Sequence, residues 1–198
     1  MLFLAALFSA SSPFSAMVSS VAHADDTLTA EASVLALTSG GVAPGAALRF
    51  RPDATFFQVE GRALGDQRWT GRLTLGVDLF PSLDAFDLSA GAWGGIRSAE
   101  ADPASGGDGA PALTTPSGPP RLQAGLELSV LGRLGPIGAG ARHAEGILVL
   151  DQTRVSEDEL RLGWTAVRTV ELFGAYSRLA SEGEAVVHGV GAGCAIRF

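Results

Sequence analysis

Apolar and polar residues alternate along this chain with a period of two. Gln67–Phe80 places Trp69, Leu73, Leu75, Val77 and Leu79 on one parity, and Arg68, Thr70, Arg72, Thr74 and Asp78 on the other. That spacing marks a β-strand with one apolar face, since a helix would repeat every 3.6 residues. Phe86–Arg97 repeats it, with Phe86, Leu88, Ala90, Ala92 and Ile96 against Asp87, Ser89, Gly91, Trp93 and Arg97. Leu122, Ala124, Leu126, Leu128 and Val130 oppose Arg121, Gln123, Gly125, Glu127 and Ser129, and Leu160, Leu162, Trp164 and Ala166 oppose Arg161, Gly163 and Thr165. Each stripe runs for about ten residues, the length a tilted strand needs to cross the hydrocarbon layer of a bilayer. Weaker alternation predicts further strands over Thr29–Leu37, Gly45–Arg51, Ala54–Leu64, Ile137–Leu150 and Val170–Leu179.

The longest predicted strand, Gly183–Phe198, closes the chain. Back from Phe198, every second residue is Ile196, Cys194, Ala192, Val190, His188 and Val186, whereas Arg197, Ala195, Gly193, Gly191, Gly189 and Val187 hold the other parity. One face is greasy and the other small or charged. The total is ten strands, or eight if two of the weak ones merge or stand outside the sheet.

The connections sort by length. Arg168-Thr169, Leu134-Gly135-Pro136, Pro81–Ala85 and Pro52-Asp53 are short and carry turn residues. On the opposite side fall Ser181–Gly183, Asp151–Asp158, Ala99–Pro120, Gly65-Asp66 and Thr38–Pro44. Ala99–Pro120 contains five Pro, four Gly and no aromatic residue, so it buries too little apolar area to offset its ordering entropy and is expected to be a disordered loop. The prediction is an all-β domain, an antiparallel up-and-down barrel of ten strands, with eight as the alternative.

Residues 1–24 stand apart from that domain. Met1–Phe8 is an apolar run too short to span a bilayer as a helix, and Ala22-His23-Ala24 fits a small-x-small cleavage site, so 1–24 reads as a signal peptide and 25–198 as the barrel domain. The formal charge of −7 argues against nucleic-acid partners, and a single cysteine forms no internal disulfide. All 14 basic residues are Arg and none is Lys, which suits a confined polar interior better than a solvated sheet face.

The leader, the alternating strands and the carboxy-terminal Phe198 resemble the small outer-membrane β-barrel proteins of Gram-negative bacteria. The resemblance implies residence in the cell outer membrane after export across the inner membrane, with outer-membrane lipid and the barrel-assembly machinery as partners. It also implies that Phe198 is an assembly signal and that the short turns are periplasmic. The parity of the strands then directs Arg49, Arg51, Glu60, Arg62, Arg68, Arg72, Asp78, Asp87, Arg97, Arg121, Glu127, Arg161, Glu171 and Arg197 into the lumen. Buried charges must pair, and the Arg fork matches a carboxylate, so a salt-bridged plug is the first reading and a narrow, Arg-biased passive pore the second. The alternation alone also permits a soluble periplasmic barrel whose apolar parity faces inward and binds a hydrophobic ligand.

Catalytic motifs are absent from the sequence: no phosphate loop with Lys, no paired Cys, no His pair at metal spacing, no Gly-x-Ser-x-Gly. Neither a cofactor nor a metal is expected. Arg142, His143 and Glu145 form a polar cluster where the alternation of 137–150 switches parity, which suggests a β-bulge or, more simply, a charged girdle at the membrane edge. His188, on the apolar parity, could pair with Ser177 or Ser181 in a lipid-modifying enzyme, a minority reading beside a plain rim residue. The acidic run in Asp151–Glu159 reads as a solvated loop. The functional expectation is a structural or envelope-interacting barrel without catalysis.

Overall fold

The alternating segments close on themselves. In the computed structural model, which describes residues 27–64, 68–80, 86–98 and 119–198, ten antiparallel strands form one closed barrel. They are β1 (Thr27–Leu37), β2 (Val42–Arg51), β3 (Thr55–Ala63), β4 (Trp69–Asp78), β5 (Phe86–Arg97), β6 (Arg121–Leu134), β7 (Ile137–Leu148), β8 (Arg154–Val167), β9 (Val170–Ser181) and β10 (Val187–Arg197). Each strand pairs with its neighbours in sequence, and β1 pairs with β10 from Thr29↔Arg197 to Leu37↔Gly189, so no sheet edge is left open. The leader 1–24, residues 99–118 of the long connection, and the turns Gly65-Asp66 and Pro81–Ala85 lie outside the described residues.

The apolar parity faces outward throughout. Leu126 is 70% exposed and Leu162 63%, while Arg72 on the opposite parity of β4 is 6% exposed. This orientation overturns the arrangement in which the apolar stripes would have faced inward around a hydrophobic ligand. The short turns use residues that tolerate positive φ, Asp53 at 57° and Gly135 at 59°. At the first of them Thr55 Oγ1 donates to the Pro52 carbonyl at 2.9 Å.

Three expectations need correction. The last strand begins at Val187 rather than Gly183, because Glu184 N–H donates to the Ser181 carbonyl in a turn. No bulge interrupts β7: its register with β6 and β8 is continuous, and the register shift in the sheet falls between Thr165 and Val167 of β8. Ile137, Ala139, Ala141, His143, Glu145 and Ile147 share one face, so the apparent switch came from Ala144 and Leu148, which are apolar but point inward. Finally, the acidic loop is mostly strand, since β8 starts at Arg154 and carries Glu157, Asp158 and Glu159.

Inside, the barrel is filled by aromatic side chains laid over glycines. Phe56 pairs in register with Gly76 and Phe173 with Gly193, and a Cβ on either glycine would strike the ring. Trp93, opposite Gly125, reaches across to Gly146 in the same way and donates its indole N–H to the Leu126 carbonyl at 3.1 Å. Ala144, Leu148 and Val155 pack with Trp93 near the long-loop end, and in a second group Leu35, Ala43, Ala175 and Ala195 pack with Phe173.

Gly76→Val therefore displaces Phe56 and is expected to cost about 1–3 kcal/mol in equilibrium unfolding. Gly61→Val, where nothing lies closer than the Thr70 carbonyl at 3.9 Å, is expected to stay within about 0.5 kcal/mol of wild type.

Candidate functional site

The inward parity of β3, β4, β6, β7 and β8 brings three arginines and four glutamates together at mid-lumen. Arg142 forks between strands: its Nη1 lies 2.7 Å from Glu60 and 3.8 Å from Glu127, and its Nη2 lies 2.9 Å from Glu157 and 3.3 Å from Glu159. Arg72 reaches Glu60 at 2.8 Å, Glu157 at 3.3 Å and Glu127 at 3.4 Å. Arg62 adds Glu157 at 2.9 Å and Glu159 at 3.2 Å. Every charge in the group faces an opposite one, which is what a carboxylate removed from water requires. The planar guanidinium, with five N–H donors, serves several carboxylates at once in a way an ammonium does not.

Arginine planes are also held by the aromatic filling. Arg72 sits over Trp93 with its guanidinium carbon 5.3 Å from the ring centroid, Arg49 over Phe56 at 4.0 Å, and Arg161 over Phe173 at 3.6 Å. Each ring thus has glycine backbone on one side and a guanidinium on the other. The pattern repeats three times around the lumen, and it fixes the arginines where cation–π attraction adds to charge pairing.

Towards the short-turn end two smaller groups follow. Arg51 bridges Asp78 at 2.9 Å and Asp87 at 2.7 Å, with Arg49 at 3.7 Å from Asp78. Arg161 lies 3.0 Å from Glu31 and 2.9 Å from Glu171, and Arg197 lies 3.3 Å from Glu171. These groups line a vestibule of about 340 Å³, whose inner end is formed by Glu127, Arg142 and Glu159. Around the central cluster lie two smaller spaces, one of about 40 Å³ against Arg72, Trp93 and Glu157 and one of about 60 Å³ beside Glu60, Arg62 and Arg142. The vestibule ends on the central ion-pair cluster.

Of the fourteen predicted lumen charges, Arg49, Arg51, Glu60, Arg62, Arg72, Asp78, Asp87, Glu127, Arg161, Glu171 and Arg197 join these groups. Arg97 pairs with Glu184 at 2.9 Å near the long-loop rim. Arg121 belongs to the rim rather than the lumen, with a half-exposed contact to Asp151 at 3.5 Å, and Arg68 lies beside it just before β4. Arg142 is not a girdle residue but the centre of the ion-pair cluster. Glu31, Glu157 and Glu159 are lumen carboxylates that the sequence reading missed; strict alternation back from Arg161 would have found the last two.

His143, Glu145 and His188 lie on the outward face. His188 Nδ1 meets the Tyr176 hydroxyl at 2.7 Å, while Ser177 and Ser181 are buried on the inward parity, so the proposed Ser–His pairing does not form. Phe198 follows β10 and is exposed, with its N–H donating to the Leu28 carbonyl at 2.9 Å. Cys194 stands on the outward parity opposite Ala32 and Leu172. Among the described residues, no group of three or more His, Cys, Asp or Glu side chains is arranged to hold a metal ion.

Arg142→Ala strands Glu60, Glu157 and Glu159 on fewer cations and is expected to destabilise the barrel by about 3–5 kcal/mol in urea titration. Arg121→Ala at the rim is expected to cost less than about 1 kcal/mol.

No protein-family model and no curated protein matches the chain. Among solved structures it is similar to the anion-selective porin from Comamonas acidovorans, at 13% identity and a TM-score of 0.41, over 80% of this chain and 49% of the porin. It is similar too to the outer membrane protease OmpT from Escherichia coli, at 9% identity and a TM-score of 0.47, over 87% of this chain and 96% of the protease. A third similar structure is OmpT, an outer membrane protein of Vibrio cholerae, at 10% identity and a TM-score of 0.33, over 88% of this chain and 97% of that one. The chain spans about half the length of the porin.

Proposed function

We propose that this chain is a small barrel of the bacterial outer membrane, closed to solutes by its central ion-pair plug, with a structural or envelope-interacting role and no catalysis. One observation carries the reading: the large aliphatic residues of the strands stand mainly outward, while the paired arginines and carboxylates of β1–β10 stand mainly inward, the inverse of a water-soluble barrel. A closed sheet also satisfies every backbone group within the wall, as a bilayer requires. The exposed Phe198, next to the closing strand, is the element we assign to recognition by the barrel-assembly machinery, and export through the 1–24 leader belongs to the same proposal.

Cells expressing the full chain are expected to retain it in the outer-membrane fraction after a urea wash, with different gel mobility before and after boiling. Appearance in the soluble fraction without a heat shift would overturn the membrane reading. Leu162→Arg separates the two environments further: a lipid-facing site near mid-wall loses about 2–4 kcal/mol, whereas a water-facing one changes little.

In planar bilayers the wild-type barrel is expected to add no steady conductance. The double substitution Glu60→Ser with Arg142→Ser, which removes one charge of each sign, is expected to open a measurable one. A steady, ion-selective current through the wild type would replace the plug by a pore.

A further inference from the structure

One lumen arginine is left out of the charge pairing. Arg133 stands on the inward parity of β6, half-buried in the vestibule near its short-turn mouth, and among the described residues it takes neither an ion pair nor a hydrogen bond. The charges that act on it are Arg197 and Arg51, which repel it, and Glu171 and Asp87, which attract it. Both carboxylates are already committed, Glu171 to Arg161 and Arg197, and Asp87 to Arg51. At this end of the lumen Arg49 and Arg51 balance Asp78 and Asp87, and Arg161 and Arg197 balance Glu31 and Glu171. Arg133 is left over, with its positive charge uncompensated and all its N–H donors free. The surplus carboxylate of the central cluster does not reach it: even Glu159 stands in register with Ser129, four residues away along β6, about 13 Å between Cα levels.

Next to this arginine the wall is bare. The inward positions of β7 beside it are Gly138, its register partner, and Gly140, the partner of Leu131. Leu131 leans over both glycines: a Cβ on Gly140 would stand 3.2 Å from Leu131 Cδ1, and one on Gly138 would stand 3.8 Å from it and 3.9 Å from Arg133 Cγ. Arg133 and Leu131 thus lie side by side along a shelf of glycine backbone, with the apolar side chain about 7 Å further in than the guanidinium. The vestibule they line, of about 340 Å³, has room for about eleven waters at their liquid volume, and so for a solute of about that many non-hydrogen atoms.

We infer that this shelf binds a small monocarboxylate with a short hydrocarbon body. The Arg133 fork takes both carboxylate oxygens, and the body runs inward along Leu131 and over Gly140. A single carboxylate cancels the single uncompensated charge. A dianion brings a second negative charge among Glu31, Glu171 and Asp87, where no free cation meets it. A neutral amide of the same shape forfeits the charge-assisted pair. The site depends on the lumen geometry alone and stands apart from the membrane reading.

The test is fluorine NMR of trifluorobutyrate with the full chain in neutral detergent, with circular dichroism verifying the fold of each variant. Wild type is expected to bind the acid about tenfold more tightly than trifluorobutyramide, and equimolar inorganic phosphate is expected not to displace it. Arg133→Gln is expected to remove the preference for the acid. Gly138→Glu gives Arg133 a carboxylate from its own register partner, at a position where a Cβ has room, and is expected to abolish binding of the acid. Gly138→Gln, of the same size without the charge, is expected to keep the preference. Equal binding of acid and amide by wild type, an unchanged preference in Arg133→Gln, or equal effects of the two Gly138 substitutions would overturn the site, as would displacement by phosphate. None of these outcomes bears on where the barrel resides, which fractionation decides separately.

Discussion

Charge neutralisation inside a closed wall is the constraint from which the rest of the interior follows. Once the ionic parity of ten strands turns inward, each carboxylate loses most of its water and must be compensated by a cation within a few ångströms. Glu60 answers this by meeting Arg72 on its partner strand β4 and Arg142 from across the lumen. Contacts of that second kind tie walls that share no backbone hydrogen bonds, so the ion-pair cluster braces the barrel.

The same constraint explains why arginine is used throughout. A ten-stranded wall leaves more space than side chains of ordinary length fill. Arginine spans that space, offers a planar group with several donors, and stacks on an aromatic face without giving up its ion pairs. The aromatic rings need somewhere flat to lie, and Gly76, Gly146 and Gly193 supply it. Abundant glycine, abundant arginine and the absence of lysine are thus linked: bare backbone seats the ring, and the ring seats the guanidinium.

Much of this was legible in the sequence, because a period of two is a direct image of a wall with different faces. Leu73, Leu75 and Val77 alternating with Arg72, Thr74 and Asp78 define β4 without reference to any partner. The reading failed where one face breaks its own rule. Ala144 and Leu148 are apolar yet inward, because the lumen near the long-loop end is packed with Trp93 and Val155 instead of charge, so Arg142 was placed at the rim rather than at the centre. Glu157, Asp158 and Glu159 failed for the opposite reason: three consecutive acids look solvated, although the middle one faces out and its neighbours face in. The outer row of register partners His143, Asp158, Arg178 and His188 was invisible for a third reason, since it depends on the register between four strands and no single segment contains it.

The seam between β1 and β10 joins the two ends of the fold, with Thr29 beside Arg197 and Leu37 beside Gly189. Every other strand pairs with one adjacent in sequence, so nine hairpin-like contacts can form locally as the chain emerges. The seam cannot. It forms only when the last residues have arrived, and until then β1 presents a row of unpaired N–H and C=O groups able to pair with a foreign strand. Assembly is therefore a race between zipping this one long-range pair and capture of an open edge, and a chain without β10 is left as a curved sheet in place of a vessel.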